Sequence, residues 1–237
     1  MKMLVSLMSV TAILLVALAG PLYKFGVVEL GTAFTGFKFG LFAGIAALVL
    51  LAIQLLFKRN TASIGSALAS AVLAVTAIVV PLGMMNTAKN VPPIHDISTD
   101  LVNPPEFVAI APLRIDASNP VEYAGAEVAE QQRTAYPDLQ TLTYANSKPE
   151  LIKAAKQAIE NLGWDLVNTD ADKGIIEATE TTAWFGFKDD VIIRVTDNDS
   201  ERLVDIRSKS RVGQSDLGKN AARIHSFIDE LDSVLAK

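Results

Sequence analysis

Three uncharged apolar runs, Met3–Leu22, Phe39–Phe57 and Ala62–Met85, restrict this chain more than any other feature of it. At about 1.5 Å of rise per residue, each can cross the roughly 30 Å hydrocarbon layer of a bilayer as a helix. Lipid offers no water to backbone N–H and C=O groups, so a spanning segment of this kind must satisfy them within a helix. Residues 1–89 are therefore expected to form a membrane anchor of three transmembrane helices, with the lipid bilayer as its first partner. No Asp, Glu, Lys, Arg or His lies inside any run. Ion and proton pathways need such groups despite their cost in lipid, which disfavours a pump or transporter.

Charge divides the chain at the same place. Residues 1–89 carry six cations and one acid, a balance of +5, whereas residues 90–237 carry 15 cations and 25 acids, a balance of −10. A portion that acidic repels phosphate, and no nucleic-acid partner is expected. The cations of the first part flank its spans. With the N-terminus inside, Lys2 and the tight Lys58–Arg59 loop lie in the cytoplasm, and the acidic portion follows the third span to the outside. Residues 1–19 also read as a cleavable signal peptide ending at Ala17-Leu18-Ala19, and cleavage there still delivers the acidic portion outside. Gly40 and Gly44 form a GxxxG, and Gly65 and Ala69 repeat its spacing. Such pairs serve either packing among the chain's own spans, the preferred reading, or a homo-oligomer interface.

Residues 90–137 hold seven of the ten prolines and sustain no period, apart from one short helix suggested over Val121–Ala135. They still carry Ile94, Ile97, Leu101, Phe107, Val108, Ile110 and Leu113, too apolar a set for a solvated linker. The expectation is an extended arm laid along the domain surface. Residues 138–237 read as an α+β domain. Leu139–Ala145 is a short strand, and Ser147 with Glu150 forms a capping box opening a helix that Gly163 stops. Four strands follow at Trp164–Asn168, Ile175–Phe187, Val191–Thr196 and Arg202–Val212, separated by turns of hairpin length. A last helix from Asp216 carries an apolar stripe of Leu217, Ala221, Ile224, Ile228, Leu231 and Leu235. Strand–helix–four strands–helix predicts an antiparallel sheet with two helices packed on one face.

The chemistry concentrates in Arg207–Phe227, RSKSRVGQSDLGKNAARIHSF. Period 2 places Val204, Ile206, Ser208 and Ser210 beneath the helices, and Asp205, Arg207, Lys209 and Arg211 on the other, open face. Two arginines flanking a lysine can grip a carboxylate or phosphate. Ser215 and Asp216 open the next helix, where free N–H groups favour negative charge, and Asn220 and Arg223 follow on it. A structural reading competes: Ser215 or Asp216 caps the helix, and the arginines pair with Glu177, Glu180 or the arm's Asp96, Asp100 and Glu106. The candidate ligand-binding set is therefore Arg207, Lys209, Arg211, Ser215, Asp216, Asn220 and Arg223, with His95 and Asp96 of the arm as a weaker acid–base pair. The aromatic stretch Thr181–Phe187 reads first as core. Absence of cysteine removes disulfides and thiolate metal sites, and two histidines are too few for a zinc site without several carboxylates. No GxGxxG or GxxxxGK[ST] occurs, so no cofactor and no metal are expected.

PPIHDISTD (Pro92–Asp100), AYPDL (Ala135–Leu139), Gly163-Trp164, ATETTAWFGFKDDV (Ala178–Val191) and DIRSKSRVGQSDLGKNAARI (Asp205–Ile224) together resemble the family catalogued as domain of unknown function 1499. The resemblance covers the whole soluble portion in order and implies a protein of bacterial envelopes or plastids. It attaches no reaction. The resulting expectation is a multi-pass inner-membrane protein displaying a non-catalytic binding or scaffolding domain outside the membrane. That domain binds an envelope protein partner or an anionic small molecule. The alternative is an enzyme or lipid-binding module acting on an envelope small molecule.

Overall fold

The computed structural model describes residues 1–57 and 63–236 and divides the chain into two compact units. The Lys58–Arg59 loop and the predicted start of the third span at Ala62 lie outside the described residues. The first unit comprises Met1–Lys89 with Ala183–Gly186. Its helices are α1 (Lys2–Lys24), α2 (Leu30–Phe57) and α3 (Ile64–Asn90), each long and apolar enough to cross a membrane. All three exceed the uncharged runs, because backbone hydrogen bonding continues past the last apolar residue into the flanking polar ones.

Small residues set the approach of these helices. A side chain on Gly40 would meet Val16 Cγ2 at 2.6 Å and Ala12 O at 3.0 Å; one on Gly44 would meet Ala74 O at 2.9 Å. The GxxxG thus faces α1 and α3 of its own chain, while a side chain on Gly65 would meet nothing within 4 Å among the described residues. Residues Ala183–Gly186 carry the aromatic stretch, and Trp184 Nε1 donates to Ala17 O at 3.0 Å. Phe185 stacks on Phe34 with centroids 5.7 Å apart.

The second unit contains a six-stranded antiparallel sheet ordered β1-β6-β5-β4-β3, with β2 also on β6. The strands are β1 (Asp96–Ser98), β2 (Leu142–Tyr144), β3 (Asp165–Asp170), β4 (Ile175–Thr181), β5 (Lys188–Asn198) and β6 (Glu201–Ser210). Helices α5 (Lys148–Asn161) and α6 (Lys219–Leu235) bury their apolar stripes against one face. There Ile159, Ile224 and Phe227 meet Ile176, Ile193 and Ile206. The capping box of α5 forms as predicted, with Ser147 N–H donating to Glu150 at 2.8 Å. The predicted strand Ile175–Phe187 ends early, at Thr181, and β5 begins early, at Lys188. Helix α6 starts at Lys219 rather than Asp216, because Leu217 and Gly218 take left-handed φ values of 57° and 78°.

The arm crosses the opposite face. It supplies β1, a 3-10 turn (Ala111–Arg114) and α4 (Ala126–Ala135), with Gly125 at the start of α4. Phe107 and Ile110 bury against Ile192 beneath it, while Val108 and Leu113 stay exposed.

Gly44→Leu should lower the thermal stability of the full chain in detergent, on the scale of about 1–3 kcal/mol for overpacking. Gly65→Leu should leave it unchanged. Equal melts for wild type and Gly44→Leu would contradict the close helix approach.

Candidate functional site

Alternation along β6 sends its polar residues to two buried networks, one on each face of the sheet. On the helix face, Ser208 Oγ donates to Asn220 Oδ1 at 2.6 Å. Asn220 Nδ2 donates to Ser210 Oγ and to the His95 carbonyl, both at 3.0 Å. Arg223 reaches from α6 to Asp189 Oδ2 at 2.6 Å and to the Glu180 carboxylate. Asp216 accepts from Gly218 N–H at 2.7 Å and Asn220 N–H at 2.8 Å, and so occupies the anion position at the helix start. Burial pushes its carboxyl above the usual range, against those two N–H bonds. Ser215 Oγ accepts from Leu217 N–H at 3.2 Å.

On the other face the cationic stripe is not open. Arg207 and Lys209 are 1% and 0% exposed, because Asp96 of β1 sits opposite Lys209 in the strand register. Arg207 grips Asp96 with both prongs, Nε at 2.8 Å and Nη2 at 2.9 Å, and Lys209 Nζ binds the same carboxylate at 2.8 Å. Ala124 N–H adds a fourth donor at 3.2 Å. The Arg207 guanidinium also lies over Phe107 and Tyr123, at 5.0 and 5.4 Å from their ring centroids, a cation–π arrangement. Burial pushes the Tyr123 hydroxyl up to about 12, and the Asp96 charge adds to it. Burial also holds the Lys209 ammonium below its ordinary value; Asp96 opposes that, while Arg207 and Arg114 reinforce it.

Asp190 forms the second anionic centre. Arg211 binds it through Nε and Nη2 at 2.8 Å each, Arg114 Nη1 at 2.5 Å, and Thr179 Oγ1 at 2.7 Å. Four cations thus share two carboxylates, and main-chain carbonyls accept further donors from Arg207, Lys209 and Arg211. Pro105 O and Val121 O receive Arg207, Glu122 O receives Lys209, and Leu113 O receives Arg211. All four acceptors belong to the arm. Arg194 joins this face opposite Asp205 and binds both Asp205 at 2.8 Å and Asp100 at 2.9 Å.

Glu177 takes a role other than pairing with an arginine. Its carboxylate accepts the successive N–H groups of Val108, Ala109 and Ile110, at 2.8, 2.8 and 3.1 Å. Three convergent amides are an anion-binding concavity, filled here by the protein's own acid.

The structure therefore separates the predicted set. Arg207, Lys209, Arg211 and Asp96 gather on the arm face; Ser215, Asp216, Asn220 and Arg223 gather at the α6 end. His95 and Asp96 do not meet: the His95 ring lies 3.3 Å from Gln214 O, while Asp96 binds the two cations. Asp190, Asp189 and Arg114 escaped the sequence reading. Extending period 2 of β5 back through Lys188-Asp189-Asp190 would have found the two aspartates, one on each face; no local period marks Arg114. The other histidine, His225, pairs with Asp138 at 2.6 Å near the surface. Among the described residues no cluster of three His, Cys, Asp or Glu has the arrangement of a metal site.

Removing one partner of a buried ion pair leaves an uncompensated charge, so Asp96→Ala should cost about 3–5 kcal/mol in urea unfolding of the full chain. A loss below about 1 kcal/mol would contradict its place as counter-ion. Asp100 supplies a pH test. Burial raises its carboxyl, but the Asn103 and Val102 N–H groups and Arg194 outweigh burial and hold it below the ordinary value. Its folded value being depressed, its contribution is present above the unfolded value of about 3.9 and disappears as pH falls through the lower folded value. Asp100→Asn should therefore flatten the acid limb of the stability profile below about pH 4, leaving its shape near neutrality unchanged.

No curated protein matches this sequence. A family model described as "Protein of unknown function (DUF1499)" matches residues 96–231, more than half of the chain, beginning on Asp96 itself and ending within α6. The sheet, the arm from Asp96 onward and, apart from the His95 carbonyl, both buried networks fall within that match, and the chain belongs to the DUF1499 family.

Proposed function

We propose that this chain is a multi-pass protein of the bacterial inner membrane whose soluble unit is a non-catalytic binding domain held outside the cytoplasm. One observation carries the non-catalytic part. The cations of the richest polar motif direct their donors inward, to Asp96, Asp190 and the arm's carbonyls. Arranged this way they lock the arm onto the sheet, and recognition of an envelope protein or an anionic molecule falls to the domain's outer surface. The three apolar helices and the cations that flank them support the placement. Self-association, where it occurs, is assigned to Gly65 and Ala69, since Gly40 and Gly44 already face the chain's own helices.

Two measurements test this reading. Alkaline phosphatase fused after Lys237 should be active, and an inactive fusion beside an active cytoplasmic reporter at the same point would reverse the topology. His95→Ala should fully complement a deletion strain, since among the described residues the ring's one hydrogen bond is to the Gln214 carbonyl. Failure of a normally expressed His95→Ala protein to complement would instead favour an enzyme.

A further inference from the structure

One edge of the sheet is left without a neighbour. Strand β3 ends the order β1-β6-β5-β4-β3, and no backbone hydrogen bond joins its outer edge to another described segment. Helix α5 runs beside it, and a groove of about 910 Å³ opens between them. The two walls match in length: 14 helical residues at about 1.5 Å and six strand residues at about 3.3 Å both give roughly 20 Å.

The groove offers three kinds of unsatisfied group. Lys153 and Lys156 of α5 are exposed and have no ion pair among the described residues, whereas the cations of the Arg207–Arg211 stretch are paired. Thr169 Oγ1 of β3 is buried and has no hydrogen-bond partner among the described residues. Leu166 and Val167 stand 46% and 37% exposed, where the pairing with β4 shifts register between Leu166 and Asn168.

These groups choose the occupant. The floor residues Ile152, Ile159 and Trp164 are already 7%, 1% and 8% exposed, so an acyl chain would gain little further burial there. What remains is a free backbone edge under a rim where Lys148, Lys153 and Lys156 outnumber Glu160 and Asp172, which suits an added strand carrying acidic side chains. A second copy fits poorly, because antiparallel pairing of β3 with itself sets Asp165 against Asp170.

We propose that an extended segment of a partner protein, alternating acidic and apolar residues, adds to the outer edge of β3. Its acidic side chains face Lys153 and Lys156. The proposal rests on the binding-domain reading above and names its surface and the chemistry of its partner. It leaves the buried networks untouched: they hold the sheet rigid while the far edge does the recognising.

The test uses the full chain in zwitterionic nanodiscs and a fluorescein-labelled hexapeptide alternating glutamate and valine. Anisotropy should show saturable binding that weakens with salt, and a lysine–valine peptide should not bind. Lys153→Glu with Lys156→Glu should weaken binding at least tenfold with an unchanged melt. Lys153→Gln with Lys156→Gln should give a smaller loss in the same direction. Amide exchange at residues 165–170 should slow when the peptide is bound. The proposal is overturned by absent binding at millimolar peptide, by binding indifferent to both double variants, or by protection confined to another strand. It also falls if phosphatidylglycerol nanodiscs protect β3 and the peptide does not, which makes the groove a lipid site. Any of these results leaves the binding-domain reading standing, since that reading fails separately through His95→Ala.

Discussion

The fold of the second unit hangs on one carboxylate. Asp96 lies on a three-residue strand and neutralises Arg207 and Lys209 together, in a place where neither cation meets water. An ion pair so deeply buried does little for net stability against an apolar replacement, because desolvation offsets the Coulomb gain. Its effect is conditional: once two cations are committed to the sheet face, the arm must lie over them. The carbonyls of Pro105, Val121 and Glu122 then complete their coordination, which fixes the route of some thirty arm residues that have little regular structure of their own.

This arrangement explains why a segment so rich in proline is ordered. Proline removes backbone donors but leaves every carbonyl free, and an arm rich in unpaired carbonyls complements a sheet face rich in cations. Glu177 supplies the reverse complement, an acid on the sheet for three arm amides. Arm and sheet thus exchange polar groups in both directions, and the small apolar cluster of Phe107, Ile110 and Ile192 fills the space between. On the opposite face, Arg223 performs for α6 the tethering that Asp96 performs for the arm.

Under the function proposed above, the binding surface lies away from the molecule's densest charge. Motif reading alone directs attention to Arg207–Arg211, since a cluster of cations ordinarily marks a place for an anion. With those cations matched internally, the surface proposed for recognition consists instead of two lysines on α5 and the bare edge of β3, neither of them conspicuous in the sequence.

Local periodicity made much of this protein legible in advance. The three apolar runs, the capping box at Ser147, the stripe of α6 and the antiparallel order of strands all follow from spacings of two to four residues, which act over a few ångströms. Asp190 falls between the expected strands Ile175–Phe187 and Val191–Thr196, where Lys-Asp-Asp is a common turn signal; only arginines brought from two other segments make it a buried strand position. The start of α6 shifted because two left-handed residues, one of them Leu217, turn the chain before the helix begins. Asp96 and Arg207 are 111 positions apart. The sequence by itself determined that cations would line one face of β6 and that acids lay within reach. Tertiary structure alone decided which acids met them, because pairing at that separation depends on the path of the arm, and that path is set by the same ion pairs it brings together.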